Sequence, residues 1–132
     1  MIPSIHAAFI VCGTNIRFAG TTRVGEPWDD CDMFANRLSF PGGKLEAGED
    51  ARTAAIREAA EEGYAMEGVA DEPFHEDIVE GKRVVWFAAR SGRILSEYKE
   101  KGRITPIIGP VEIFHGYGNE EAASKFLANL KG

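Results

Sequence analysis

Between Pro41 and Ala65 the chain sets a glycine-rich turn, a short acidic loop and a helix, and it places three carboxylates on one side of that helix. The turn and loop read Pro41-Gly42-Gly43-Lys44-Leu45-Glu46-Ala47-Gly48-Glu49. Asp50 then stands where an N-cap belongs. Ala51, Ala54, Ala55, Ala59 and Ala60 are strong helix formers, and Gly63 stands where a helix usually ends. Glu58, Glu61 and Glu62 are spaced i, i+3, i+4, which puts them on one helix face. Unpaired, each close like-charge pair costs the helix about 0.2–0.5 kcal/mol. A divalent cation reverses that sign, because hard ions such as Mg²⁺ take carboxylate oxygens and commonly work beside substrate phosphates.

The spacing of this stretch resembles the Nudix box, G-x5-E-x7-R-E-U-x-E-E-x-G-U with U a bulky aliphatic residue. The chain supplies Gly43, then Glu49, then Arg57-Glu58, then Glu61-Glu62, which is six of the seven fixed positions. At a residue usage of about 7% each, six matches at a given start arise by chance with a probability on the order of 10⁻⁷. One fixed position departs: Gly63-Tyr64-Ala65 carries its glycine one place early, and Ala59 and Ala65 are small for aliphatic positions. A glutamate run on a helix is ordinarily a solvated face; inside this pattern the functional reading takes precedence.

The resemblance implies an α/β fold, the Nudix α/β/α sandwich with a mixed central sheet, and one domain over residues 1–132. It implies an enzyme that hydrolyses a nucleoside diphosphate linked to another group, with Mg²⁺ or Mn²⁺ as cofactor and a small-molecule nucleotide as partner. Carried over by position, Glu58 and Glu62 are metal ligands, Glu61 a further ligand or a water-orienting group, and Gly43 backbone beside the metal or a phosphate. Arg57 holds a glutamate in place, with Glu49 the candidate. Lys44 and Arg37 are candidate phosphate contacts. Members of the family often take a base or an extra ligand from outside the box, which leaves Glu97, Glu100 and Glu112 open, Glu112 being favoured. The marks of ADP-ribose and diadenosine polyphosphate hydrolases, a proline or a tyrosine downstream of the box, are absent near Glu80-Gly81-Lys82. Their absence points to a MutT-like enzyme that cleaves a nucleoside triphosphate to monophosphate and pyrophosphate. ADP-ribose, nucleotide-sugar and dinucleoside polyphosphate hydrolases remain alternatives.

The remaining sequence sets boundaries on this reading. A chain of 132 residues suits one domain and can bury a core without disulfides. A net charge of −6 argues against nucleic acid or an anionic membrane as the main partner. No apolar run approaches a membrane span, and Met1-Ile2-Pro3-Ser4 lacks the basic segment of a signal peptide. Cys12 and Cys31 have no metal or redox spacing and read as reduced thiols of a cytoplasmic protein. The oligomeric state is open, a homodimer included.

His6 to Cys12 and Ile16 to Thr22 read as a hairpin across Gly13-Thr14-Asn15. Val24 to Asn36 is a long polar connection of the kind that is functional or disordered, and Trp28 within it could stack on a ligand base. Arg37 to Phe40 reads as a brief strand. Phe74 to Val79 and Arg83 to Ala89 read as a second hairpin. Tyr64 to Ala70 is weakly β, and Ser91 to Gly109 is mixed, with Pro106 disfavouring a central strand. Val111 to His115 reads as a last strand, and Asn119 caps a terminal helix to Leu130 with Ala123, Phe126, Leu127 and Leu130 as its buried stripe. His6, His75 and His115 share no motif and read as structural. Two rivals stand beside the enzyme: a Nudix-fold module without catalysis, against which intact Glu58, Glu61 and Glu62 argue, and a calcium-binding protein, which lacks the EF-hand spacing.

Overall fold

The computed structural model describes residues 4–14, 17–23, 39–110 and 119–131. A four-stranded mixed sheet forms its centre. Strand β1 (Ile5–Val11) lies between β3 (Gly42–Lys44), antiparallel to it, and β6 (Lys82–Ala88), parallel to it; β5 (His75–Val79) closes the sheet antiparallel to β6. Two smaller antiparallel ladders join β2 (Arg17–Arg23) to β8 (Ile104–Pro110) and β4 (Tyr64–Glu67) to β7 (Ser91–Ile94).

Helices cover both faces of the central sheet. Successive strand residues point to opposite faces, and β6 shows the result. Val85 and Phe87 pack with Ala8, Ile10, Ala55 and Ala59 on the side of helix α1 (Ala51–Glu61). Val84 and Trp86 pack with Phe18, Phe40, Ala122, Ala123 and Phe126 on the side of helix α2 (Asn119–Lys131). A strand buried on both faces is apolar throughout rather than alternating, which is why Val84-Val85-Trp86-Phe87 reads so strongly as β. The layers are those expected of an α/β/α sandwich with a mixed sheet.

The first expected hairpin forms only at its neck. The Thr14 N–H donates to the Arg17 carbonyl at 2.7 Å and the Ala19 N–H to the Cys12 carbonyl at 2.8 Å, with one further bridge between Gly13 and Phe18. Beyond that turn β1 and β2 part, because both edges of β1 are taken by β3 and β6. The second hairpin is complete: Glu80 (φ 52°) and Gly81 (φ 78°) make the two-residue turn with both φ positive that suits the twist of paired strands.

A regular strand runs through Pro106, which pairs with Thr21; among the described residues β8 has β2 as its one ladder partner, an edge position that tolerates a missing N–H. The buried Tyr64 hydroxyl lies 3.1 Å from the Gly20 carbonyl and 2.9 Å from that of Ile107, tying the end of α1 to both strands of this ladder. Ala122 joins Ala123 and Phe126 in the buried stripe of α2, with Leu127 partly buried against it. Buried Cys12 is a free thiol whose pKa burial raises. Among the described residues no helix is long and apolar enough to cross a membrane. The Val24–Asn36 connection with Trp28 and Cys31, Arg37, and the expected strand from Val111 to His115 with Glu112 lie outside the described residues.

Candidate active site

Helix α1 starts where the sequence places it. The Asp50 carboxylate accepts from the Thr53 N–H at 2.8 Å and from the Thr53 hydroxyl at 3.0 Å. Glu62 is the C-cap, and Gly63 follows at φ 109°, the left-handed region that glycine enters without a Cβ penalty. The glycine that stands one place early in the box therefore ends the helix, and Tyr64 takes up the buried position after it.

With both ends fixed, Arg57, Glu58 and Glu62 face β3. The Gly42 N–H donates to Glu62 Oε1 at 2.8 Å. A Cβ on Gly43 would lie 2.6 Å from Glu58 Cδ and 2.7 Å from its Oε2. Glycine at 43 thus serves close approach, with no positive φ required; what approaches its backbone is the Glu58 carboxylate.

Arg57 organises the rest. Its guanidinium grips Glu49 with two bonds, Nε to Oε2 at 2.8 Å and Nη2 to Oε1 at 2.9 Å. Nη1 reaches Glu58 Oε1 and Glu61 Oε2, each at 3.0 Å, and Nη2 reaches the Lys44 carbonyl at 3.1 Å. All five N–H donors of the side chain are thereby used. Glu49 also accepts from the Glu46 N–H at 3.0 Å. The Lys99 amine lies 3.2 Å from Glu61 Oε1.

The charges are unevenly met. The Arg57 hydrogen bonds, helped by the Glu46 N–H, hold the Glu49 carboxyl down to about 2; Arg57 is pushed up, chiefly by Glu49. Burial raises Glu58, and Arg57 opposes the rise. Burial pushes Glu62 up to about 8; Glu58, Glu100 and Glu61 add their negative charge, and the Gly42 N–H opposes them. Among the described residues Glu62 has no cationic partner. Such a group holds either a proton or a cation. Glu58, Glu61 and Glu62 offer carboxylate oxygens alone, the donor type that a hard divalent ion takes.

The structure brings together Gly43, Glu49, Arg57, Glu58, Glu61 and Glu62. Lys44 contributes its carbonyl to this cluster, and its residue is exposed at the end of β3. Of the carboxylates outside the box, Glu97 is paired with Lys101 at 2.8 Å. The Glu100 N–H donates to the Glu61 carbonyl at 2.8 Å, and its charge bears on Glu62. Lys99 was not legible as a member of the site: it comes from a segment with no motif, and only the fold sets it against Glu61.

The NUDIX domain family model matches residues 8–100 of the chain. No curated protein matches it. Among solved structures, one described as an ADP compounds hydrolase superposes with a TM-score of 0.70 at 19% identity, over 100% of this chain and 76% of the other. A MutT NUDIX hydrolase from Burkholderia pseudomallei superposes with a TM-score of 0.66 at 17% identity, over 95% and 98% of the two chains. A structure described as MutT from Aliivibrio salmonicida and Vibrio cholerae gives 0.67, also at 17% identity and over 95% and 98%. At these identities the superpositions speak for the fold. With the family match over more than half the chain, and six fixed box positions of which Arg57 binds three glutamates, the chain belongs to the NUDIX family, the hydrolases of pyrophosphate bonds.

Proposed function

We propose that residues 1–132 form one Nudix domain that hydrolyses a nucleoside triphosphate to a monophosphate and pyrophosphate with the help of Mg²⁺ or Mn²⁺. The observation that carries the reading is Glu62, a carboxylate pushed up to about 8 beside Glu58 and Glu61 with no cation of its own among the described residues. Glu58 and Glu62 would hold the metal, and Glu61 would hold it further or orient the water. A bound metal would neutralise the charge that develops on the phosphoryl oxygens. Arg57 and Glu49 position Glu58 and Glu61 through the bonds described above. Glu100 is the best-supported carboxylate from outside the box, since it lies against Glu61 and acts on Glu62. Lys44 and Arg37 would contact phosphate and Trp28 the base. The MutT descriptions of two superposing structures support the triphosphate as substrate.

A second reading, cleavage of an ADP-linked compound, is favoured by the solved structure described as an ADP compounds hydrolase, which superposes on the whole of this chain and is itself covered over 76% of its length. One experiment separates the two. The protein is incubated with a panel of nucleoside triphosphates and ADP-linked compounds in Mg²⁺ or Mn²⁺, and the products are identified. Pyrophosphate released from a triphosphate supports the first reading, and AMP with a second phosphorylated product supports the other. Turnover that survives exhaustive chelation refutes metal dependence, and binding without turnover identifies a non-catalytic module.

A further inference from the structure

His75 sits on the face of the central sheet opposite the carboxylate cluster. It pairs in register with Trp86, and the two rings lie 5.0 Å apart at 36°. That face packs against α2, whereas α1 packs against the other. His75 is 6% exposed, and neither ring nitrogen has a hydrogen-bond partner among the described residues. A neutral imidazole carries one donor and one acceptor, and buried polar atoms are seldom left unmatched. Such a ring asks for a ligand.

Two carboxylates stand within reach. Asp77 follows His75 by two residues, so both point to the α2 face of β5. Glu121, in the first turn of α2, comes across from the helix. One ligand atom from each of His75, Asp77 and Glu121 lies within 4.8 Å of the other two. Asp77 is half-buried and Glu121 exposed, so the cluster opens to solvent on one side.

We propose that His75, Asp77 and Glu121 form a second metal site, in which one imidazole nitrogen and two carboxylate oxygens hold a divalent ion of the zinc class and clamp α2 to strand β5. The donor set decides the class. Mg²⁺ and Ca²⁺ prefer all-oxygen shells, whereas imidazole suits zinc and its neighbours in the first transition row. Ligand atoms about 2.0–2.2 Å from a tetrahedral zinc stand about 3.4 Å from one another, so from separations within 4.8 Å the cluster closes by no more than about 1.4 Å on binding, which the exposed Glu121 side chain can supply. The two carboxylates match the charge of the ion. Glu76 and Lys125 also act on the ring, with opposite signs, and burial keeps it neutral and so able to ligate. The site is independent of the box and of the reaction assigned to it.

The test uses the full chain, freed of metal by a chelator and titrated with Zn²⁺ at pH 7.5. Side-chain NMR follows the nitrogens of His75, and calorimetry follows binding. One equivalent of Zn²⁺ is expected to shift the His75 ring nitrogens, and Glu121→Gln and Asp77→Asn, both at solvent-reachable positions, should each weaken that event at least tenfold. Zn²⁺ should raise the Tm of the wild type by more than that of Glu121→Gln. The double variant Glu58→Gln, Glu62→Gln should keep the His75 shift intact. Ring signals that stay put in saturating Zn²⁺, that shift equally in the Glu121 and Asp77 variants, or that cease to shift in the box variant would overturn the assignment.

Discussion

Replacing Glu62 by glutamine should alter stability in a way that depends on pH and on metal. In the metal-free fold the Glu62 carboxyl stays neutral up to about 8, against an ordinary value of 4.5. The unfolded chain ionises it above about 4.5, so between those limits the native state binds more protons. By linkage, the contribution of Glu62 to stability is fully present below about pH 4.5 and is lost as the pH rises to about 8. At ~1.4 kcal/mol per pH unit, the loss across the interval is at most roughly 5 kcal/mol. Glutamine is neutral throughout, and its Oε1 can still accept from the Gly42 N–H. Unfolding by denaturant in chelator, at half-unit steps from pH 5 to 8.5, should therefore give curves that diverge. The wild type weakens relative to Glu62→Gln by a few kcal/mol toward pH 8. His75, whose pKa burial lowers, acts in the other direction below its ordinary 6.5, but it is common to both proteins and drops out of the difference. Mg²⁺ at pH 8 should restore the wild type and leave the variant unmoved, while kcat of the variant falls by ~10²–10³, the loss expected for one electrostatic stabiliser. A wild-type minus variant difference that stays flat from pH 5 to 8 would refute the reasoning, since Glu62 would then ionise like any solvated glutamate.

Gly43→Ala puts a methyl 2.6 Å from Glu58 Cδ and should raise the Mg²⁺ concentration for half-maximal turnover by tenfold or more, while unfolding changes by less than about 1 kcal/mol; an unaltered Mg²⁺ dependence counts against the close-approach argument. Arg57→Lys cannot reproduce the two-bonded grip on Glu49, so the Glu49 carboxyl, held down to about 2 in the wild type, should titrate nearer its ordinary range by carbon NMR; a value still near 2 excludes Arg57 as the cause. Tyr64→Phe leaves the carbonyls of Gly20 and Ile107 without their shared hydroxyl and should cost ~1–3 kcal/mol in denaturant unfolding; a loss within about 0.5 kcal/mol would mean that water replaces the hydroxyl.

Local signals carried the helix and the site on it. Asp50, the alanines and Gly63 define α1 without reference to anything outside it, and a helix fixes the mutual placement of Glu58, Glu61 and Glu62 by its own pitch. The grip of Arg57 on Glu49 follows from box spacing once the loop folds back along the helix. The partners of β1 were not legible, because Gly13-Thr14-Asn15 announces a turn but not how far the strands stay together. The apolar character of β1 on both faces was the better clue, since it suits a central strand with two neighbours. Pro106 disfavoured a central strand, and β8, which has β2 as its one ladder partner among the described residues, is held by that long-range pairing and by Tyr64. Glu97 and Glu100 look alike in sequence; only the path of the chain past Glu61 separates them. The i, i+2 pair of His75 and Asp77 was readable on a strand, but Glu121 joins it only through the docking of α2.

The distribution of charge around α1 explains why the fold tolerates so acidic a helix. Arg57 spends every donor it has: it bonds Glu49, Glu58 and Glu61, holds the Glu49 carboxyl down and opposes the rise that burial causes at Glu58. The Lys99 amine is 69% exposed beside Glu61, and an ion pair so open to solvent contributes little. That leaves Glu62, pressed against β3 with a single backbone N–H for its carboxylate. Were stability alone the constraint, a neutral side chain would serve better there, since an uncompensated buried charge is among the costliest features a core can hold. In the proposed enzyme the charge of Glu62 would serve the reaction at the expense of stability above pH 7, the trade of stability for activity known at functional positions. Glu62 would there hold a divalent ion, which would supply the positive charge that the described residues withhold, so the interaction that completes the fold would also complete the site.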